Sequence, residues 1–127
     1  MAAFPYDSSY DPPAPVIPIR IGVPNRSEPE DQHLAFLDSG ADATAIPVDL
    51  LWAIGARVVG QGRLSGVTGV SIEVDLFRVV IYMPTGVTYG IRAVGAKDDD
   101  VIILGRDVLN QWRITLDGPG ETVEIEA

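Results

Sequence analysis

The sequence predicts a mainly β domain, closed or sandwich-like, and three observations predict it. Apolar residues alternate with polar ones in short runs, turn-forming residues recur at short intervals, and only two brief segments carry helix boundaries. At 127 residues the chain has room for one domain with a modest core. Its 46% hydrophobic content can fill that core and excludes disorder of the chain as a whole.

Residues 1–15 hold Pro5, Pro12, Pro13 and Pro15 among small polar and acidic residues, with little to bury. They predict a flexible, Pro-rich arm ahead of a domain over residues 16–127. Ile17, Ile19 and Ile21 then alternate with Pro18, Arg20 and Gly22, a strand that Pro18 confines to a sheet edge or to its own start. A polar loop over 24–33 follows, with His33 read as a solvated turn residue. The uninterrupted apolar run 34–37 fits a strand buried on both faces, although a short buried helix has the same pattern.

Pro47 at a first helical position and Gly55 at a C-terminal cap bracket a helix of about two turns, with Leu50, Leu51 and Ile54 facing inward. Val58 and Val59 open a long hairpin punctuated by Gly60, Gly62, Gly66 and Gly69. On its return limb Val70, Ile72, Val74 and Leu76 alternate with largely polar residues, giving one apolar and one wet face. Val79–Met83 and Val87–Val94 form a second hairpin about Pro84-Thr85-Gly86. The run Lys97-Asp98-Asp99-Asp100 lacks the alternating spacing of a calcium loop and reads as solvated charge. Val101–Leu104 is a buried strand ending at Gly105. A short helix over 106–112 offers Val108, Leu109 and Trp112 to the core. Ile114, Leu116, Val123 and Ile125 alternate around Asp117-Gly118-Pro119-Gly120 as a closing hairpin. The inventory is roughly eight short strands and two small helices.

Composition removes several functions. With 18 acids against 9 basic residues the net charge is −9, and no basic stripe is present to bind nucleic acid or an anionic membrane. The absence of cysteine excludes disulfides, thiolate metal sites and a cysteine nucleophile. A single histidine excludes a histidine-rich metal site and disfavours a serine–histidine triad. No basic-then-apolar leader and no bilayer-length apolar stretch is present, so a soluble, cytoplasmic protein is expected.

The stretch from Leu34 to Ile46 is where chemistry concentrates. Asp38 ends an apolar run, and a carboxylate beside an apolar interior is costly unless something pairs with it. Ser39 and Gly40 are small enough to let other backbone come close. By itself Asp-Ser-Gly favours the plainer reading of a strand ending in an Asx-type turn.

Three stretches taken in order resemble the retropepsin family of aspartic proteases, the single-domain type of retroviruses and retroelements with cellular relatives. Leu37-Asp38-Ser39-Gly40-Ala41-Asp42 is similar to the family's apolar-Asp-Thr/Ser-Gly-Ala-Asp motif. Ser65-Gly66-Val67-Thr68-Gly69-Val70 stands at the position of the flap. Ile102-Ile103-Leu104-Gly105-Arg106-Asp107-Val108-Leu109 resembles the segment before the C-terminal helix. The likeness covers residues 16–117. Ser39 stands where threonine is commoner, Thr68 replaces a flap glycine, and the helix over 47–54 is more like those of cellular relatives. Residues 118–127 extend past the usual C-terminal strand, so the viral dimer interface does not transfer directly.

The resemblance implies a closed, retropepsin-like (acid protease) β-barrel with one or two short helices. It implies an aspartic endopeptidase in which two carboxylates share a proton and activate water, with no metal or organic cofactor. The chain holds a single Asp-Ser-Gly, so the second carboxylate would be Asp38 of another copy in a two-fold homodimer. Asp38, Ser39 and Gly40 are then the catalytic turn, with the Ser39 hydroxyl reaching the partner's backbone. Asp42 is expected to pair with Arg106, which supports the turn from the C-terminal helix, and to touch substrate backbone. Gly66, Val67, Thr68 and Gly69 would close over a peptide or protein substrate. Ala41, Val67, Ile103 and Leu104 would line its side-chain pockets. The alternative is a catalytically silent dimeric module of the same fold that binds peptides or only oligomerises.

Overall fold

The computed structural model describes residues 1–65, 68–97 and 99–126. Its strands are β1 (Ala2–Pro5), β2 (Val16–Gly22), β3 (His33–Leu37), β4 (Ala45–Pro47), β5 (Arg57–Ser65), β6 (Ser71–Tyr82), β7 (Thr88–Ala96), β8 (Ile102–Leu104), β9 (Arg113–Asp117) and β10 (Thr122–Glu126). Two short helices, α1 (Val48–Ala53) and α2 (Arg106–Leu109), complete the elements. The larger sheet runs β2-β3-β8-β4-β7-β6-β5, and β2 also pairs with β6. Six strands therefore close a ring, and β5 rides outside it on β6. The fold is mainly β and retropepsin-like in its ring of strands, with two small helices.

Alternation in β2 does what period two demands. Ile17, Ile19 and Ile21 are all buried, pointing into the ring. Pro18 is tolerated because each half of the strand has one neighbour: β3 pairs with Val16–Ile19 and β6 with Arg20–Gly22. In β3 only one face is interior. Ala35 is fully buried while Leu34 is 52% exposed, which corrects the reading of a strand buried on both faces. Phe36, on the outer face, is covered instead by Tyr10, whose ring meets it edge-on at 5.0 Å.

The two apolar runs expected to be separate strands are one. No turn residue interrupts Leu76–Val79, so β6 continues for 12 residues. Phe77, Val79 and Ile81 are buried in the ring while Arg78 between them is exposed. The segment Ser71–Asp75 pairs with β5 alone, so the β5–β6 hairpin projects beyond the ring. Helix α1 follows Pro47 and ends where Gly55 takes φ +77, a conformation that favours glycine. Leu51 is its fully buried residue, with Leu50 and Ile54 packed at the core's margin. Helix α2 is shorter than the segment 106–112 suggested; Trp112, beyond its end, packs against the core as expected and donates its ring N–H to the Tyr89 hydroxyl at 2.6 Å.

Residues 1–15 differ most from their sequence reading. β1 is the edge of a three-stranded sheet β1-β10-β9, with Ala2 opposite Ile125 and Phe4 opposite Val123. Phe4 and Tyr6 pack against the core, and Asp7 and Ala14 exchange backbone hydrogen bonds. The arm was expected to bury little because its aromatics are scattered among prolines. Strand pairing puts Phe4 on the same face as Val123 and Ile125.

Candidate active site

The Asp-Ser-Gly turn follows β3 and is held from several directions. The Asp38 N–H donates to the Leu104 carbonyl at 3.0 Å, which fastens the turn to the end of β8. The Gly40 N–H donates to Asp38 Oδ1 at 2.9 Å and the Ala41 N–H to the Asp38 carbonyl at 3.2 Å. Together these make an Asx turn that fixes the carboxylate. Asp38, Ser39 and Gly40 are all exposed in the single chain. Among the described residues, Asp38 Oδ2 accepts no hydrogen bond.

Arg106 supports the turn differently from expectation. Its backbone N–H donates to the Ala41 carbonyl at 2.8 Å, and its Nη1 donates to the Ser39 carbonyl at 2.7 Å. The expected Asp42–Arg106 ion pair is not formed. The ion pairs among the described residues are Arg20–Glu28 and Arg113–Glu126. The guanidinium is engaged by a backbone carbonyl, and Asp42 is an exposed side chain at the cleft's edge.

A carboxylate that the sequence reading passed over does the locking beneath the turn. Thr44 is fully buried. Its hydroxyl donates to Asp107 Oδ1 at 2.7 Å and accepts the Gly105 N–H at 3.2 Å, while its amide donates to Asp107 Oδ2 at 3.1 Å. Gly105 must be glycine here, since a Cβ would lie 2.6 Å from the Ala43 carbonyl carbon and oxygen. The strand after the turn is thereby bolted to the start of α2. One signal was available: Thr44 is the lone polar residue in the run Ala43–Ile46.

An apolar cleft opens beside the turn, under the β5–β6 hairpin. It comprises adjoining cavities of about 500 and 550 Å³ that share Ala45, Leu64, Ile72, Val94 and Ile103. Gly40, Ala41 and Asp42 border the first. Ala41 and Ile103 are therefore cleft residues, but Leu104 is fully buried on the opposite side of β8, as alternation requires. Thr68 and Gly69 are exposed near the hairpin's tip and line neither cavity. Gly66 and Val67, expected to cover substrate, lie outside the described residues. Leu64, Ile72, Ala45 and Val94 were not singled out as lining residues, although Ile72 already stood on the apolar face of its strand.

The ring of strands matches that of solved structures. EIAV protease complexed with the inhibitor HBY-793 superposes with a TM-score of 0.60 at 25% identity, over 77% of this chain and 86% of that one. The chain has the retropepsin-like fold. A retropepsin-like aspartic protease from Rickettsia conorii superposes with a TM-score of 0.59 at 13% identity, covering 99% and 92% of the two chains. The retroviral protease-like domain of Ddi1 from Leishmania major gives 0.56 at 19% identity, over 89% and 88%. No family model and no curated protein matches the sequence. The fold of this retropepsin-like chain is thus that of aspartic-protease-type proteins. Among its described residues no cluster of three or more His, Cys, Asp or Glu could hold a metal, and no helix is long and apolar enough to cross a membrane.

Proposed function

We propose that this chain is an aspartic endopeptidase that acts as a homodimer, with Asp38 of each copy meeting across a two-fold axis. The observation that carries this reading is the exposed Asp38 carboxylate, fixed by backbone hydrogen bonds beside an apolar cleft. The fold itself has no need of an acid there. An asparagine would accept the Gly40 amide equally well.

In the dimer the two carboxylates stand too close for both to ionise, so they share a proton. The ionised carboxylate takes a proton from water as the water oxygen bonds to the peptide carbonyl carbon. The protonated carboxyl gives its proton to the carbonyl oxygen. When the C–N bond breaks, the dyad acid gives its proton to the leaving nitrogen while one hydroxyl of the tetrahedral intermediate returns a proton to the dyad, so one carboxylic acid and one amine result and the shared proton is restored. Ser39 bridges to the partner's backbone and Gly40 leaves room for substrate. Asp42 meets substrate backbone, and Gly66–Gly69 close over it. Ala41, Leu64, Ile72 and Ile103 favour apolar substrate side chains.

The test is cleavage of a peptide mixture by the native chain and by Asp38→Asn, at acidic and neutral pH, with and without a statine-type inhibitor. Cleavage by the native chain alone, blocked by the inhibitor, is expected. Equal cleavage by both chains, or none by either, overturns the proposal.

A further inference from the structure

Arg57, Arg78 and Arg92 stand directly opposite one another across β5, β6 and β7: Arg57 faces Arg78, and Arg78 faces Arg92. All three are exposed, on the outer face of the ring, since Phe77 and Val79 on either side of Arg78 point inward. Like charges in directly opposed positions destabilise a sheet. Arg26, from the loop between β2 and β3, joins them. It lines a cavity of about 430 Å³ together with Arg57, Arg78, Asn25 and Gly55.

This arrangement runs against the composition. The chain has 18 acids and only 9 basic residues, yet no acid lines this cavity. None of the four arginines makes a hydrogen bond or ion pair with any described side chain. A chain so rich in carboxylates could pair each of them internally. The cavity shares no lining residue with the cleft beside Asp38.

We infer that this cavity is a binding site for a phosphoryl group. Three arginines from three chain segments line one concave volume, and a guanidinium is a planar fork of donors. A single carboxylate would neutralise only one of them. A phosphate monoester carries up to two charges and three acceptor oxygens, so it can engage several forks at once and relieve the repulsion along the ladder. The group comes either from a free phosphate or from a phosphorylated side chain of another protein. Binding would tie the base of the β5–β6 hairpin to the loop bearing Arg26.

The test is calorimetric titration of the full chain at low ionic strength in phosphate-free buffer. The probes are inorganic phosphate, a phosphoserine peptide, its unphosphorylated counterpart, an all-glutamate peptide and a set of single-stranded oligonucleotides. We expect saturable binding of the phosphorylated probes at one site per chain and none of the unphosphorylated peptide. Tighter binding of inorganic phosphate identifies a free phosphate as the source; tighter binding of the phosphopeptide identifies a modified side chain. Arg57→Gln and Arg78→Gln should each weaken binding by about tenfold or more. Arg113→Gln makes the same charge change elsewhere and should leave binding unaltered. In phosphate-free buffer Arg78→Gln should melt at or above the native temperature, and phosphate should raise the melting temperature of the native chain only. The inference is overturned by absence of saturable binding, by binding that survives both substitutions, or by a destabilised Arg78→Gln. Tighter binding of the glutamate peptide, or of oligonucleotides in proportion to their length, also overturns it. No outcome depends on peptide cleavage, so the site and the protease reading stand or fall separately.

Discussion

Thr44 and Asp107, 63 residues apart, are joined by two hydrogen bonds in which the Thr44 hydroxyl and amide each donate to a different oxygen of the one carboxylate. Thr44 also accepts the Gly105 amide, so all of its polar groups near this point are engaged. The Asp38 turn thus rests on a buried polar network whose members cannot be removed singly without leaving another unsatisfied.

Thr44→Val keeps the shape and deletes the hydroxyl, stranding the Gly105 N–H and one Asp107 oxygen. It should cost about 2–4 kcal/mol of stability, measured by urea denaturation, because unmet buried groups carry their desolvation penalty. Thr44→Ser keeps the hydroxyl and should cost about 1 kcal/mol, the worth of one buried methyl. Equal losses for the two variants would remove the network from the account.

Gly105→Ala forces a methyl against the Ala43 carbonyl, where the clash is with backbone and no side chain can swing aside. A loss of about 3 kcal/mol is expected in the same assay. Little or no loss would mean the two segments can part without penalty.

Asp38→Asn and Arg106→Ala should separate function from folding. Asp38 is exposed and asparagine preserves the acceptor for Gly40, so the stability change should stay within about 0.5 kcal/mol while cleavage is abolished. Arg106→Ala removes the side-chain hydrogen bond to Ser39 but leaves the backbone bond to Ala41. It should lower kcat more than it lowers the unfolding midpoint. A proportionate fall in both would assign Arg106 to folding alone.

The N-terminal segment should make a pH-dependent contribution. The Ser9 hydroxyl and then the Ser9 amide, both donating to Asp7 Oδ1, hold that carboxyl below the ordinary aspartate value of 3.8. A lowered folded value means the contribution is present above the unfolded value and lost as pH falls through the folded one. The melting-temperature deficit of Asp7→Ala should therefore be full at pH 6 and shrink as pH drops below 3.8. A deficit that stays constant down to strong acid would exclude this origin.

Much of the fold was legible because its strands obey simple periodicity. Ile17, Ile19 and Ile21 announced β2, and Pro47 with Gly55 bracketed α1. What period and turn signals do not carry is which strand pairs with which. Phe4 looked unattached because its partner Val123 lies at the far end of the sequence. At the site, the Asp-Ser-Gly turn and Arg106 were visible as residues, while the hydrogen bonds among them were not. Asp42 and Asp107 are chemically alike, and only the three-dimensional path of the chain decides which of them is gripped from below. The four arginines escaped notice for the same reason, being scattered over 26–92: sheet register gathers Arg57, Arg78 and Arg92, and the loop after β2 brings Arg26 to the cavity that Arg57 and Arg78 line.

The pairing of β1 with β10 also has a consequence for how the protein is made. Ala2 hydrogen-bonds into the same ladder as Ile125, a contact spanning almost the whole sequence. A ribosome completes the first strand long before its neighbour exists. Until Thr122–Glu126 emerges, Ala2–Pro5 has no strand to join, and an unpaired strand is open to pairing with other chains. The ring of β2, β3, β4, β6, β7 and β8 can close without it. Joining β1 to β10 then follows closure of the ring, and crowded synthesis of many copies is the circumstance in which an exchange of β1 strands between molecules would begin.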